Sequence, residues 1–340
     1  MEPDVLGAGF ECQTLTVTPD AEGAVVVTLV RKRPAMPSHR AVLYVHGYVD
    51  YFFQHDLAAH IVARGMNFYA VDLRKYGRSL RPYQTPNFCT DIEAYFEDLD
   101  TVMDLIRTRD GNTHVTILAH STGGLIAALY AHHRRHLVPI DALALNSPFF
   151  DLNVSWLTKR LVVPVVCWLG RRTPKLIVPQ PSAPLYGRSL HYTHHGEWHY
   201  DVAWKPIEGI PLRLGWLNAI HRAQRELQRG LDITCPVLVL SSTRSLYPRH
   251  WTDQIHRADI VLDVDDINRC AVLLGNHVTR IRIPDGIHDL FLSREPVRTQ
   301  AYDALFTWMD AYTGVSTSRA RTIMDIVQTE RFDPVAQHSS

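Results

Sequence analysis

The chain reads as an α/β protein: an open, mostly parallel, doubly wound sheet with an inserted lid or cap. Three observations in its 340 residues predict this. Strand-like apolar runs alternate with helix-spaced segments from about residue 41 to 146, the pattern of successive β-α-β units. The alternation stops over 148–215, which holds eight of the twenty prolines and four of the seven tryptophans. It resumes from about 217 and runs to 312. A stretch of that length without the rhythm is too long for a plain loop and reads as an inserted element.

Each element follows from its local pattern. Residues 10–16 and 24–31 read as strands around the turn-rich Thr18-Pro-Asp-Ala-Glu-Gly23. After a linker at 34–39, the run Ala41-Val-Leu-Tyr-Val45 has the composition of a strand buried on both faces. Helical spacing over 53–64 follows, then a strand at 67–73 and a helix from about 92 to 107. Strand 114–119 and helix 122–136 repeat the unit, and 141–146 adds a strand. Beyond the insertion come a helix near 217–229, a strand at 236–240, a helix near 265–274, a strand at 277–283 and a helix over 296–312. The organisation predicted is N-terminal strands over 1–37, a core over 38–147, the lid or cap over 148–215, a second core part over 216–315 and a polar tail over 316–340. There is no internal repeat and no signal for an oligomeric state.

Composition narrows the function. Hydrophobic residues make up 46% and charged residues 21%, an ordinary globular balance. Lys+Arg and Asp+Glu are equal at 35 each, so no net charge points to nucleic acid as a partner. The basic cluster Arg31-Lys32-Arg33 closes a strand and reads as a solvated strand end. Cys12, Cys89, Cys167, Cys235 and Cys270 are scattered without C-x-x-C spacing, which argues against a disulfide framework or zinc knuckle and for a reducing compartment. The first ten residues carry acids and no basic region ahead of an apolar run, unlike a secretory signal. The longest apolar run, 161–169, is too short to span a bilayer and contains Pro164. A cytoplasmic protein is the expectation.

The chemistry centres on Val-Thr-Ile-Leu-Ala-His-Ser121-Thr-Gly-Gly-Leu, a strand that runs into a helix across one short polar break. A serine hydroxyl is a poor nucleophile unless a base lies within hydrogen-bond reach. A strand-to-helix turn tight enough to push the Ser121 hydroxyl out of the sheet needs small residues two positions to either side. Ala119 and Gly123 occupy those positions, with Gly124 adding clearance. The helix that starts next aims its N–H groups and positive dipole end at the same place. The bland alternative is a buried serine capping that helix.

These residues resemble the α/β-hydrolase superfamily, in particular its monoacylglycerol lipase/lysophospholipase-like branch, which includes serine aminopeptidase-like members. The resemblance spans roughly residues 38–313. Ala119-His-Ser-Thr-Gly123 stands where the family has G-x-S-x-G, with alanine for the first glycine. His46-Gly47 stands where the family ends its first buried strand in His-Gly, which implies the Tyr48 N–H as one oxyanion donor and the Thr122 N–H as the other. Asp72 to Ser79 resembles the family's Asp-x-x-x-x-Gly-x-Ser turn, a structural brace. His288 follows the last strand where the family often has G-x-x-H, although Gly286 sits one residue nearer. Its placement, rather than its identity among 19 histidines, singles it out as the base. The family's acid usually lies just after the strand at 236–240, where this chain has Ser-Ser-Thr-Arg-Ser. Further on, Asp259 with Val261 restores the Asp-x-Val pattern, so Asp259 is the first choice and Asp263 the second; Asp265 and Asp266 suit a helix start. The order Ser121, Asp259, His288 is that of the superfamily.

The resemblance implies an acyl-enzyme mechanism that needs no metal and no organic cofactor. It implies a small-molecule or lipid-like ester substrate, of monoacylglycerol or lysophospholipid type, with transient membrane contact through the lid. In the insertion, His191, His194, His195 and His199 have spacings that could meet on a helix face, but no Cys and few carboxylates lie near them, so they read as lid decoration around Trp198 and Trp204. Residues 157–170 are either a core-facing helix or a surface that lines an acyl tunnel or touches lipid. A peptidase or amidase would need a carboxylate for the substrate amine, for which Glu197, Asp201 and Glu208 are the candidates. A non-catalytic ligand binder would lack a triad member, and all three can be placed.

Overall fold

The apolar runs pair into one sheet in the computed structural model, which describes residues 1–178 and 184–313. Its strands are β1 (Glu2–Pro3), β2 (Phe10–Asp20), β3 (Gly23–Lys32), β4 (Arg40–Val45), β5 (Asn67–Asp72), β6 (His114–His120), β7 (Ala142–Asn146), β8 (Val237–Ser242) and β9 (Val278–Ile283). Their spatial order is β1-β2-β3-β5-β4-β6-β7-β8-β9. From β5 to β9 every pairing is parallel, while β1, β2 and β3 extend the sheet as antiparallel strands, β3 pairing with β5. Only β1 was not foreseen; two residues leave no pattern to read. The predicted tail over 316–340 and residues 179–183 of the insertion lie outside the described residues.

Helices cover both faces of the sheet, which is why β5, β6, β7 and β8 are near-continuous apolar runs. On one face Leu57 and Ile61 of α1 (His55–Ala63) and Leu305 and Phe306 of α8 (Val297–Tyr312) pack on Val42, Phe68, Leu118 and Leu238. On the other, α2 (Ala94–Asp104), α3 (Thr122–His133), α6 (Leu214–Leu227) and α7 (Val264–Ala271) bring Leu99, Leu125, Ile220 and Ile267 onto Leu43, Val71, Ile117 and Leu145. The helix predicted to run to 107 stops at Asp104 and passes into a wide π turn over Leu105–Arg109. All five cysteines are free and four of them are buried.

Between β7 and α6 the chain adds α4 (Trp156–Arg172) and α5 (Leu185–Leu190). Only Val163, Cys167 and Gly170 of α4 are buried, with Val163 and Cys167 clustered on Leu152 near Phe149 and Leu217. Trp156, Leu157, Leu161, Val162, Val165 and Trp168 are each more than half exposed. The core-facing reading of 157–170 therefore fails for most of the helix: a single stripe meets the protein and the larger apolar face looks outward. Among the described residues no helix is long and apolar enough to cross a membrane.

From β4 the chain goes to β5 on one side, then returns to place β6 on the other. The loops after β4 and β6 diverge at this switch point, the position in an open α/β sheet where a crevice forms beyond the strand ends.

Candidate active site

Ser121 sits at that switch point, directly after β6. Its backbone is held at φ 52°, ψ −117°, between the end of β6 and the first residue of α3. The small neighbours have a steric cause: a Cβ on Gly123 would lie 2.3 Å from the His46 carbonyl oxygen, and one on Gly47 would lie 3.1 Å from the Ser121 Cβ. The first turn of α3 thus abuts the backbone at the end of β4. Ser121 donates its own N–H to the Asn146 carbonyl at 3.0 Å. It occupies the N-cap position of α3 but its side chain makes no capping bond, so the capping alternative does not describe it.

The hydroxyl instead meets His288, with Oγ 2.9 Å from Nε2. On the other side of the ring, Nδ1 lies 2.9 Å from Asp259 Oδ2. A carboxylate accepts, so Nδ1 carries the proton and Nε2 is free to accept from serine. Asp259 is 0% exposed and its second oxygen, Oδ1, accepts from the Val261 and Leu262 amides at 2.8 Å each. Its backbone pairs with the extension of β8, Asp259 N–H to Arg244 O and Leu246 N–H to Asp259 O. That pairing accounts for the acid's late position: the chain makes an excursion after β8 and returns to pair beside it. Asp263 does not join the cluster; it caps α7, accepting from the Asp265 amide at 2.9 Å.

The two amides named as oxyanion donors flank the serine, Thr122 directly after it and Tyr48 directly after Gly47. Among the described residues neither N–H donates to a protein acceptor. The Tyr48 ring lies 4.2 Å from that of Trp216 in α6. His46 is wholly buried and structural: its Nε2 accepts from the Leu73 amide at 3.1 Å and its Nδ1 lies 2.8 Å from the Gly47 carbonyl. Burial lowers its pKa. The Asp72 turn is a brace, as read: Asp72 accepts from the Phe52 and Arg78 amides at 2.9 Å each, and Ser79 donates to the Asp72 carbonyl at 2.6 Å.

Three supporting residues left no signal in the sequence. Asn146, at the end of β7, takes the Ser121 amide on its carbonyl and donates its side-chain amide to Asp289 Oδ1 at 2.7 Å. Asp289, next to His288, also accepts from Gln54 at 3.3 Å, and this ties the histidine loop to the start of α1. Tyr186 of α5 places its ring edge-on 5.5 Å from His288 and accepts from the Asp289 amide at 3.1 Å. His120 packs its ring 4.8 Å from His288, and burial lowers its pKa.

The insertion's histidines scatter: His191 bonds Thr193 at 2.7 Å, His195 stacks on Trp251 and His199 on Tyr192. Among the described residues no group of three His, Cys, Asp or Glu side chains converges on a point where a metal ion could sit. Trp198 is buried and donates to the Leu292 carbonyl, and Trp204 packs edge-on against Tyr51. Glu197 is engaged by Arg298 at 2.7 Å, Glu208 by Arg188 at 3.1 Å, and Asp201 by the Ala203 amide at 2.8 Å.

The sequence profile of a family described as serine aminopeptidase, S33, matches residues 36–246. No curated protein matches the chain by sequence. Among solved structures, a soluble variant of monoglyceride lipase from Saccharomyces cerevisiae, in complex with a substrate analogue, superposes with a TM-score of 0.64 at 15% identity, over 92% of this chain and 99% of the other. Monoacylglycerol lipase from Paleococcus ferrophilus gives 0.58 at 20% identity, over 84% and 99%. A thermostable carboxyl esterase from Bacillus coagulans, in complex with glycerol, gives 0.63 at 14% identity, over 88% and 98%. They share the α/β-hydrolase fold with this chain.

Proposed function

The chain belongs to the serine aminopeptidase S33 family of hydrolases, and from that premise we propose that it cleaves carboxylic esters of lipid-like acyl groups through an acyl-enzyme on Ser121. The observation that carries the reading is the unbroken relay of two 2.9 Å contacts from Ser121 Oγ through His288 to Asp259. His288 Nε2 takes the serine proton as Oγ attacks the ester carbonyl. Asp259 holds the Nδ1–H tautomer and balances the imidazolium that forms. The Tyr48 and Thr122 amides donate to the oxyanion, each contributing about 3 kcal/mol because it is oriented before charge develops. His288 then returns the proton to the leaving alkoxide, and water, deprotonated by the same histidine, releases the acid.

Two observations favour a lipid-like ester over the amine-bearing peptide that the family's description names. Glu197, Asp201 and Glu208, the carboxylates that could anchor an amine, are already bonded within the protein. The outward face of α4 is apolar and its helix carries Arg160, Arg171 and Arg172 with no acid, the make-up of a segment that rests on an anionic lipid surface. In this reading the insertion is a cap, and its outer face meets the aggregate from which substrate is drawn.

The test is hydrolysis of an acyl-ester series of increasing chain length that includes a monoacylglycerol, run beside aminoacyl anilides, with Ser121→Ala as the blank. Turnover that rises with chain length and vanishes in the blank is expected. Anilide cleavage exceeding ester cleavage would move the protein to the peptidases of its family.

A further inference from the structure

The loop after β4 is held from an unexpected direction. Asp50 is 2% exposed and Lys205, on the inserted segment, is 7% exposed. Lys205 Nζ donates to Asp50 Oδ1 at 2.8 Å and to the Val49 carbonyl at 3.3 Å. The same ammonium lies over the rings of Phe53 and Tyr200, at 5.6 and 5.7 Å from their centres. Two neighbours dock the same turn: the Asp201 amide donates to the Tyr51 hydroxyl at 2.7 Å, and the Trp204 ring stands edge-on to Tyr51 at 5.1 Å.

The backbone that Lys205 reaches is strained. Val49 has φ 51°, in the left-handed region that a β-branched residue enters only when its surroundings enforce it. Val49 directly follows Tyr48. A buried carboxylate stripped of its cation is strongly unfavourable, so removing the Lys205 ammonium leaves the Asp50 charge without its partner beneath the loop. Without it the Val49 carbonyl loses its donor and the loop loses what opposes its relaxation.

We propose that Lys205 is a positioning residue that clamps the Gly47–Asp50 loop from the inserted segment and so aims the Tyr48 N–H at the developing oxyanion. The inference rests on the oxyanion role proposed above for Tyr48 and adds a requirement that the insertion be docked for the hole to be complete.

The experiment compares Lys205→Met and Lys205→Arg with the wild type on a short, soluble acyl ester. It also measures inhibition by an alkyl trifluoromethyl ketone, whose carbonyl adds Ser121 Oγ and leaves an oxyanion in the hole. Removing a preorganised donor costs on the order of 10²–10³-fold in kcat, and misaiming one costs less. Lys205→Met is expected to lower kcat by roughly 10–100-fold, to leave KM within about threefold, and to weaken the ketone by the same factor as kcat/KM. Lys205→Arg, which keeps the charge and two donors, recovers most of the loss. An unchanged kcat, a loss carried by KM, or ketone affinity that does not follow kcat/KM overturns the proposal. If Lys205→Met lacks a cooperative melting transition, Lys205→Gln is judged by the same criteria. Failure of the esterase reading itself is distinct: wild type and Ser121→Ala would then turn over ester equally, before any Lys205 variant is compared.

Discussion

Ser121 sits where a serine ordinarily caps a helix, yet it turns its hydroxyl to His288, and the difference lies in the backbone. At φ 52° the side chain is carried away from the helix N–H groups and onto His288. Asp259 and Asp263 make the same point from the other side: similar in sequence context, one is buried against His288 and the other caps α7. Asp259→Asn is expected to reduce kcat on the order of 10³–10⁴-fold, because an amide favours the wrong tautomer of the imidazole. Asp263→Asn should stay within about twofold, since asparagine caps helices as well as aspartate does. Steady-state kinetics on one ester settles the ranking, and a larger loss at Asp263 would reverse the assignment. Ser121 and His288 were legible because local punctuation marks them, small residues around a strand–helix break and a loop after the last strand. Asp259 needed the resemblance, because its pairing beside β8 is not written next to β8. Lys205 and Asp50 were illegible: 155 positions separate them, and a valine gives no hint that its backbone will be left-handed.

The elements show which kind of pattern carries information. β4 to β8 were found because strands covered on both faces are apolar at nearly every position. Periodicity in α4 identifies Leu157, Leu161 and Val165 as sharing a stripe, but it cannot say whether a stripe meets a core or the outside. Only the packing of Val163, Cys167 and Gly170 on the rest of the protein decides that. The outward stripe can be changed without touching the fold. Leu161→Glu/Val165→Glu alters two residues 59% and 56% exposed, so its melting temperature should stay close to wild type, surface changes of this kind being worth about ±0.5 kcal/mol each. Turnover of monoacylglycerol presented in anionic vesicles should fall at least roughly tenfold, while turnover of a short soluble ester stays unchanged. Equal effects on both substrates would remove α4 from lipid contact.

Across the whole molecule, the antiparallel strands must be fastened to the parallel core, and Asp110 is a principal fastening. It follows the π turn after α2 and accepts from Arg31 of β3 at 3.0 Å, Tyr69 of β5 at 2.8 Å and Arg109 at 2.8 Å. Burial pushes its pKa up, but bonds from Arg109, Tyr69 and Arg31 outweigh this and bring it to about 2, against an ordinary value of 3.8. A folded pKa below the unfolded one means stability that is fully present above about pH 3.8 and is lost as pH falls towards 2. Asp110→Asn should therefore be less stable than wild type at pH 7, with the gap closing through that window in urea unfolding at stepped pH; a gap independent of pH would refute the role. The free cysteines give the molecule a different kind of legibility. Burial raises Cys89 and Cys235 to about 12 and Cys270 to about 11, so these three buried thiols hold almost no thiolate at neutral pH. At these three thiols alkylating reagents have little to attack until the core opens, and the rate at which they are modified becomes a clock for unfolding of the molecule.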